Sequence, residues 1–231
     1  MKLRGVTLVA LAAAGAASVP AEAAAVRPTQ ELAALTAGHR VMAAPGVHSP
    51  RIAGLRAWRP ITGGPTVLPV VNRATTPDGI RWLRVRIPGR PNGTKGWIRK
   101  RGTAPIVTSW QIVVSRSTRR VLVYRHGRLV RAFAAIVGKP STPTPRGHFF
   151  VEESVRMLPG HPGGPFALAL SARSNVLQEF EGGPGQIAIH GVENLGGTLG
   201  TASSHGCVRV SNKSVRWLAA RISPGVPVRI R

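Results

Sequence analysis

The only cysteine of the chain, Cys207, lies in the segment SSHGCVRVS, two residues after His205. A cysteine acts as a nucleophile in its thiolate form, and a free thiol with a pKa of about 8.5 is only slightly ionised at neutral pH unless a base or a positive charge lies nearby. A second histidine, His190, ends the apolar stretch GQIAIH upstream. A cysteine that pairs with a histidine indicates acyl transfer through a covalent intermediate.

Two predicted strands would position these side chains. The stretch GQIAIHG is interpreted as a buried strand that ends at His190, and GCVRV as a second strand that begins near Cys207. The glycine-rich segment between them predicts one loop, so that His190 can approach from the neighbouring strand as the general base. If the second strand is extended from its start, His205, Cys207 and Arg209 project from one face and surround the thiol with positive charge.

Stabilisation of the developing oxyanion is expected close to the thiol. Gly206 would let a substrate carbonyl approach backbone N–H groups, the usual oxyanion donors. A catalytic triad also needs a group that orients the histidine, usually Asp, Asn or Glu. The only aspartate, Asp78, lies far upstream, and the nearest carboxylate is Glu193. A backbone carbonyl is therefore the candidate that orients His190.

The composition indicates an exported, strongly basic protein. Lys and Arg number 32 against eight Asp and Glu, which gives a formal net charge of +24 at pH 7. Residues 1–25 combine Lys2 and Arg4, an apolar stretch and a small-x-small site around Glu22, a pattern that predicts a secretory signal peptide. The apolar stretch is too short for a membrane span, so we expect no integral membrane span in the mature chain.

Export to the periplasm or cell wall determines how the charge and the single thiol are interpreted. A basic chain attracts polyanions, and without helix-turn-helix or zinc-finger spacing we expect anionic wall polymers rather than nucleic acid. A solvated basic surface without a partner explains the charge equally well. Cys207 cannot form an internal disulfide, so it is either reactive, paired with another molecule or a buried hydrophobic residue.

The segment before the cysteine-containing domain divides into two parts. Residues 26–50 show a weak helical period and then Ala, Pro and Gly, and we interpret them as a lead-in or linker. Residues 51–105 contain short alternating runs separated by turn signals, which predict a small antiparallel β unit. Within it, WLRVRIPGRPNGTKGWIRK resembles the small SH3-like barrels that accompany bacterial wall enzymes. It would bind glycan or peptide stems, or serve as a spacer.

The rest of the chain is predicted to be mainly β, with a short C-terminal helix. The segment KPSTPTPRG contains three prolines within a few residues, which predict a rigid loop. Residues 155–185 are rich in Gly and Pro and are expected to form a lid, from which His161 could reach a substrate. Ser211 is the expected N-cap of the helix NKSVRWLAARI, which Gly225 follows. The predicted strands are WQIVVS, RRVLVYR, RLVRAFAAIVG, HFFVEES, FALALSA and VPVRI.

Four motifs in this order resemble the L,D-transpeptidase catalytic domain of the YkuD type over residues 108–231. They are VGKPSTPTPRGHF, IHG, the glycine-rich loop and SSHGCVR, with the sole cysteine at the matching position. The resemblance implies a YkuD-type β-sandwich catalytic domain with a short C-terminal helix, preceded by the small SH3-like β-barrel. It implies neither a cofactor nor a metal.

The resemblance also implies a reaction. Cys207 would attack the carbonyl of the third residue of a peptidoglycan tetrapeptide stem and expel the terminal D-alanine. The side-chain amine of a diamino acid on a second stem would then resolve the thioester and give a 3→3 cross-link. Carbapenem acylation of Cys207 is implied as well.

The motif assigns roles to individual residues. His190 is the base, the carbonyl of Gly191 orients it, and the amides of Gly206 and Cys207 form the oxyanion hole. Three more residues would support the substrate and the nucleophile, namely Ser204, His205 and Arg209. At the position of Arg209 some family members have Asn, and Arg209 would bind a substrate carboxylate, form a salt bridge or shield the core.

Several alternatives stay open at this point. The same acyl-enzyme could transfer to water or to a protein lysine, which would make the protein an L,D-carboxypeptidase or a protein anchor. Other Cys/His enzymes, the NlpC/P60 hydrolases and the sortases, differ in the order of the two residues or lack the proline loop. A zinc site on His190, His205 and Cys207 and a non-catalytic wall-binding protein are further alternatives.

Paired carboxylates offer a lysozyme-like alternative. Glu179 and Glu181 would share a strand face, whereas the adjacent Glu152 and Glu153 would point apart. Neither pair lies near a recognisable site, so we interpret both as surface charge.

Overall fold

The computed structural model describes residues 26–179, 182–193 and 195–231. The predicted signal peptide over residues 1–25 and Glu181 therefore lie outside the described residues. The described chain is mainly β, as the alternating patterns predict, and it contains two large sheets, one small sheet and one short helix.

The first large sheet has seven antiparallel strands from the N-terminal half. These are β1 (Gln30–Leu35), β2 (His39–Met42), β3 (Arg51–Leu55), β4 (Val67–Thr75), β5 (Arg81–Arg86), β6 (Lys95–Arg99) and β7 (Thr103–Thr108). Their order across the sheet is β3-β2-β6-β5-β4-β1-β7. The SH3-like character of residues 51–105 stays a prediction.

The structure differs from the sequence expectation over residues 26–50. Strands β1 and β2 lie there, and each pairs with a neighbour on both sides. Residues 32–35 are all buried, so both faces of β1 are covered. A continuous apolar run of this kind does not show the period of two that identifies a half-buried strand.

The second large sheet and the small sheet form the C-terminal half. The eight-stranded sheet has the order β10-β9-β8-β17-β12-β13-β14-β16, and β11 pairs with β15 in the small sheet. The strands are β8 (Trp110–Ser115), β9 (Arg120–Arg125), β10 (Arg128–Ala134), β11 (Val137–Gly138), β12 (Gly147–Arg156), β13 (Phe166–Arg173), β14 (Gln186–His190), β15 (Ala202–Ser204), β16 (Val208–Arg209) and β17 (Pro227–Ile230).

The single helix of the described residues, α1 (Asn212–Ala219), packs on the second sheet. Its N-cap is Ser211, whose hydroxyl accepts a hydrogen bond from the backbone N–H of Ser214 at 3.2 Å, as predicted. The helix ends three residues earlier than the pattern indicates, although Ile222 still joins Val215 and Leu218 in the core.

The two halves pack against each other through buried contacts. Phe150 of β12 belongs to the core of the first sheet, and Gly225 packs so closely on Leu32 and Val67 that a side-chain carbon there would lie 2.9 and 2.6 Å from their atoms. Burial of this apolar surface stabilises the association of the two halves.

Glu152 and Glu153 complete the contact between the halves. Each is 2% exposed, so the interpretation of this pair as surface charge is wrong. The expectation that they point apart is wrong as well, because both lie next to Arg59 of the N-terminal half, which pairs with Glu152 and lies 3.6 Å from Glu153. The pairing of β12 with β13 is irregular between Val151 and Glu153, and a bulge of this kind breaks the alternation of side chains. Arg173 pairs with Glu152 at 3.0 Å.

Candidate functional site

His190 ends β14, and the parallel strand β16 lies beside it. Register places His190 opposite Arg209 and Ile189 opposite Val208. Cys207 directly precedes β16, so the predicted approach of the histidine from a neighbouring strand agrees with the pairing. Parallel strands need a long connection, and residues 191–207, which include the short strand β15, provide it.

The imidazole of His190 is oriented by the main chain. Its Nδ1 lies 2.7 Å from the carbonyl oxygen of Gly191. Because a carbonyl only accepts hydrogen bonds, Nδ1 carries the proton in the neutral ring and Nε2 has the free lone pair. Nε2 is therefore the atom that can accept a proton, and a backbone carbonyl stands where a triad has a carboxylate.

The surroundings of His190 favour its neutral form. Burial is the main cause that lowers its pKa below the ordinary 6.5, and the positive charge of Arg209 and the neighbouring His161 lower the pKa further. The carbonyls of Gly191 and Gly163 act in the opposite direction. A neutral imidazole can act as a general base at neutral pH.

Cys207 is half-buried, and its Sγ lies 3.9 Å from the backbone oxygen of Gln186 at the start of β14. The side-chain amide of Gln186 donates to Glu152 at 3.1 Å and to the carbonyl of Leu170 at 3.0 Å. One residue thus joins the thiol to the buried ion pairs between the two halves. No signal in the sequence identified Gln186, because its role follows from strand order.

The segment before the thiol is a tight turn rather than the expected extended strand. Gly206 has a φ of +123°, a conformation that favours glycine, and β16 starts only at Val208. The assumption that His205, Cys207 and Arg209 alternate along one extended strand therefore fails at Gly206. His205 is exposed, and Arg209 remains beside His190 through the strand pairing.

Ser204 holds this turn from inside. Its hydroxyl is fully buried, donates to the carbonyl of Cys207 at 2.6 Å and accepts from the N–H of Gly206 at 3.2 Å. In this structure the Gly206 amide, an expected oxyanion donor, thus points to a serine hydroxyl. Ser204 fixes the backbone on both sides of the turn.

The proline loop supports the same turn from outside. The hydroxyl of Thr144 donates to the carbonyl of Gly206 at 2.8 Å, and the Thr142 hydroxyl donates to that of Ser204 at 3.3 Å. The backbone N–H of Lys139 also donates to the Ser204 carbonyl, at 2.9 Å. The expected rigid loop therefore contacts the segment that carries the thiol. The sequence does not indicate this contact, because the two segments are about 60 residues apart.

Asn212, at the start of α1, joins the loop between β12 and β13, which is part of the predicted lid, to the loop after His190. Its side-chain oxygen accepts from the N–H of Val192 at 2.9 Å, and its amide donates to Glu193. Gly164 and Gly191 both pack directly on the Asn212 side chain. An added side-chain carbon would lie 2.3 Å from the Asn212 oxygen at Gly164 and 2.2 Å from it at Gly191. Glu193 therefore binds Asn212, and sequence reasoning did not identify Asn212.

The loop between β12 and β13 brings a second histidine to the site. His161 is exposed, and its Nδ1 accepts from the N–H of Gly163 at 3.0 Å, next to the ring of His190. The other supporting candidate, Arg209, donates to the carbonyl of Gly196 at 2.9 Å, and its buried Nε has no hydrogen-bond partner among the residues that the structure describes. Within the described residues Arg209 forms no ion pair, which gives no support to the salt-bridge interpretation.

The alternative sites find little support in the described part of the chain. Glu179 is exposed, and its suggested partner Glu181 lies outside the described residues. In the described ranges, no three His, Cys, Asp or Glu side chains are grouped so that they could hold a metal ion. Nor does the described chain contain a helix long and apolar enough to cross a membrane.

A mainly β domain in which the thiol directly precedes a strand paired with that of an oriented, neutral imidazole is equipped for acyl transfer. The family model of the L,D-transpeptidase catalytic domain, YkuD, matches residues 109–230. The chain belongs to this family, whose members are enzymes of the acyltransferase kind and act on the cell wall. The resemblance that the motifs indicate is thereby confirmed.

Individual proteins of known sequence or structure are similar to this chain. A YkuD protein of Bacillus licheniformis is 35% identical over 129 residues, which are 54% of this chain and 68% of that protein. The L,D-transpeptidase 1 of Mycobacterium tuberculosis is 29% identical over 126 residues, which are 51% of this chain and 49% of that protein. A crystal structure of L,D-transpeptidase 3 from the same organism covers 72% of this chain and 91% of its own, with 17% identity and a TM-score of 0.46.

Proposed function

We propose that this protein is a peptidoglycan L,D-transpeptidase that forms 3→3 cross-links through a thioester on Cys207. Family membership supports peptidoglycan transpeptidase activity. The observation that carries the mechanism is the orientation of His190, whose Nδ1 is held by the carbonyl of Gly191 at 2.7 Å. His190, which carries the proton-accepting Nε2, ends β14. This strand pairs with β16, which begins one residue after Cys207.

In the first half-reaction, Nε2 of His190 takes the thiol proton as Sγ of Cys207 attacks the carbonyl of the third residue of a donor stem. Backbone N–H groups of the turn, those of Gly206 and Cys207, would stabilise the oxyanion. For the Gly206 amide this requires that the substrate oxygen displace the Ser204 hydroxyl. The peptide bond then breaks, His190 returns the proton to the leaving amine, and D-alanine departs from a thioester.

In the second half-reaction, the side-chain amine of a diamino acid on another stem attacks the thioester. His190 accepts a proton from this amine and the thiolate leaves, so the free enzyme and one new amide bond result. Two residues are proposed to contact substrate: His205, which is exposed, and Arg209, which lies opposite His190 in the strand pairing. Arg209 is suited to a substrate carboxylate because its guanidinium donates in a fork geometry.

Intact-protein mass spectrometry tests this proposal. The mature chain is incubated with a disaccharide tetrapeptide and, separately, with a carbapenem, beside a Cys207→Ala control. A covalent adduct on the unmodified chain alone, followed by a dimeric muropeptide that lacks one D-alanine, is the expected result. Free tripeptide without dimer would indicate carboxypeptidase action, and an adduct released only by a protein lysine would indicate anchoring. No adduct and no turnover on folded, reduced protein would contradict the enzymatic proposal and leave a wall-binding protein.

The family's site of action and the predicted signal peptide also support export to the periplasm or cell wall. Peptidoglycan stem peptides are then the substrates in reach. Cell fractionation with an antibody to the chain is the direct test, and retention in the cytoplasm would contradict this localisation.

A further inference from the structure

Two adjoining cavities open on the N-terminal sheet, and neither is lined by Cys207 or His190. The first has a volume of about 560 Å³ and lies between β2, β5 and β6. The second has a volume of about 440 Å³ and extends towards β3. Gly38, His39 and Arg40 belong to both, so one wall separates the two cavities.

Arginine dominates the charged lining of both cavities. Arg40, Arg99 and Arg101 line the first, and Arg40, Arg51 and Arg56 line the second. All five side chains are exposed to solvent. Within the described residues no carboxylate lines either cavity, and none of the five arginines takes part in an ion pair. Asp78, outside both linings, interacts electrostatically with Arg99, so the positive charge of the other four arginines is the part that is not neutralised by a paired carboxylate of the described residues.

The linings offer hydrogen-bond donors but few acceptors. An arginine side chain has five N–H donors and no acceptor. Neither lining includes an Asn, Gln, Ser or Thr side chain. His39 is already bonded through Nε2 to the carbonyl of Gly102 at 2.9 Å. A neutral polyol or glycan without phosphate would find few side chains to accept its hydrogen bonds, whereas phosphodiester oxygens, which only accept, are matched.

The aromatic residue of the first cavity is not available for stacking. Trp82 is only 2% exposed, and Arg99 covers its ring at 5.9 Å from the centroid. Sequence-tolerant binding of single-stranded nucleic acid depends on aromatic faces on which bases stack. These cavities therefore favour a phosphodiester chain without bases.

We propose that the two cavities bind a linear polyol-phosphate polymer, with successive phosphodiester groups in the first and second cavities and Arg40 contacting both. Two arginine-lined cavities with a common wall fit repeated anionic groups of one chain better than a single small anion. Such binding would hold the enzyme on an anionic wall polymer. It uses none of the residues assigned to acyl transfer, so it does not depend on the proposed reaction.

The test compares two charge-matched triple variants of the full mature chain. The first, R40Q/R99Q/R101Q, removes three arginines of the first cavity, and the control, R120Q/R128Q/R216Q, removes three exposed arginines of the C-terminal half. Binding of fluorescently labelled poly(glycerol phosphate) is measured by anisotropy at several salt concentrations. Thermal unfolding and carbapenem adduct formation show that each variant is folded.

We expect the cavity variant to bind at least tenfold more weakly than the control, with a shallower dependence on salt because fewer phosphates are neutralised. A double variant of the second cavity, R51Q/R56Q, should also weaken binding.

Equal loss in the control would show that overall charge alone attracts the polymer and would overturn the proposal. Equal binding of polygalacturonate, or of single-stranded DNA, through the same arginines would overturn the choice of a polyol phosphate. If every variant still forms the carbapenem adduct, the proposed reaction at Cys207 is unaffected. A failure of the polymer-binding proposal is therefore distinguishable from a failure of the proposed reaction.

Discussion

The hydroxyl of Thr144 donates a 2.8 Å hydrogen bond to the carbonyl of Gly206, the residue immediately before the thiol. The same hydroxyl oxygen accepts from the N–H of Gly138 at 2.8 Å. One fully buried side chain thus joins the strand before the proline loop, the loop itself and the turn that carries Cys207. The position of the turn is thereby fixed to that of the proline loop.

We expect Thr144→Val to slow acylation of Cys207 by about tenfold or more. Valine has nearly the same shape but leaves a buried N–H and a buried carbonyl without partners, at about 1–3 kcal/mol for each group. The rate of carbapenem adduct formation, followed by mass spectrometry, measures the effect. Thr36→Val is the control, because Thr36 is exposed and its side chain forms no hydrogen bond with any described residue. Equal rates in the two variants would show that the turn does not need this contact.

The ion pairs between the two halves should be worth more than an exposed pair. Arg59 lies beside two carboxylates whose side chains are almost fully buried. Within the described residues, Arg59→Gln leaves Glu152 with Arg173 as its cation and Glu153 with hydrogen bonds from Thr62 but no cation. Removal of one partner of a buried pair costs about 3–5 kcal/mol. We expect a loss of stability near this range in urea denaturation. Arg73→Gln, which breaks the exposed pair with Glu31, should change the free energy of unfolding by less than about 1 kcal/mol. A similar loss of stability in both variants would refute the distinction between the buried and the exposed pair.

Close packing around Asn212 predicts a strong effect at Gly191. The methyl group in Gly191→Ala would meet the Asn212 oxygen at 2.2 Å and Gly164 at 3.2 Å, so either the Asn212 side chain or the backbone that carries the orienting carbonyl must shift. We expect acylation to fall by at least tenfold and the thermal midpoint to drop. Gly196→Ala is the matched control in the same loop, because no atom of the described residues lies within 4 Å of the added carbon there. If both variants retain full activity, the Gly191 carbonyl is not needed to hold the base.

The pH dependence of acylation follows from His190. Burial lowers the pKa of its ring below 6.5, so the neutral base persists below that pH, and the acid limb of the carbapenem acylation profile should fall below pH 6.5. Because Arg209 also lowers this pKa, Arg209→Gln should move the limb upward. An NMR titration of the imidazole checks the assignment independently of the rate, and an acid limb above pH 7 in the unmodified chain would contradict it.

The same group links stability to pH. A histidine whose folded-state pKa lies below its unfolded value binds more protons when unfolded. Its contribution to stability is therefore fully present above pH 6.5 and is lost as the pH falls through the folded-state pKa. His190→Gln should remove this part of the acid dependence in denaturant titrations at pH 5 and pH 7. An unchanged dependence would mean that other groups cause it.

Much of the fold was accessible from the sequence. Alternating patterns gave β8 and β13 almost to the residue, and the serine N-cap gave the start of α1. The prediction fails where the period of two is absent. Residues 32–35 are buried on both faces, and the bulge near Glu153 turns two adjacent carboxylates to one side. Neither event leaves a local signature, because the partner strand or the partner arginine is distant in sequence.

The amino-acid sequence by itself determined the chemistry of the candidate site. The single cysteine, the histidine at the end of an apolar strand, the glycine before the thiol and the order of the motifs indicated the family, and composition indicated a basic chain. Tertiary structure decided which groups hold these residues in place. The Gly191 carbonyl, the Thr144 hydroxyl, Gln186 and Asn212 act through hydrogen bonds whose partners become neighbours only when strands pair. Such contacts depend on distance in space, which local propensity and spacing do not specify.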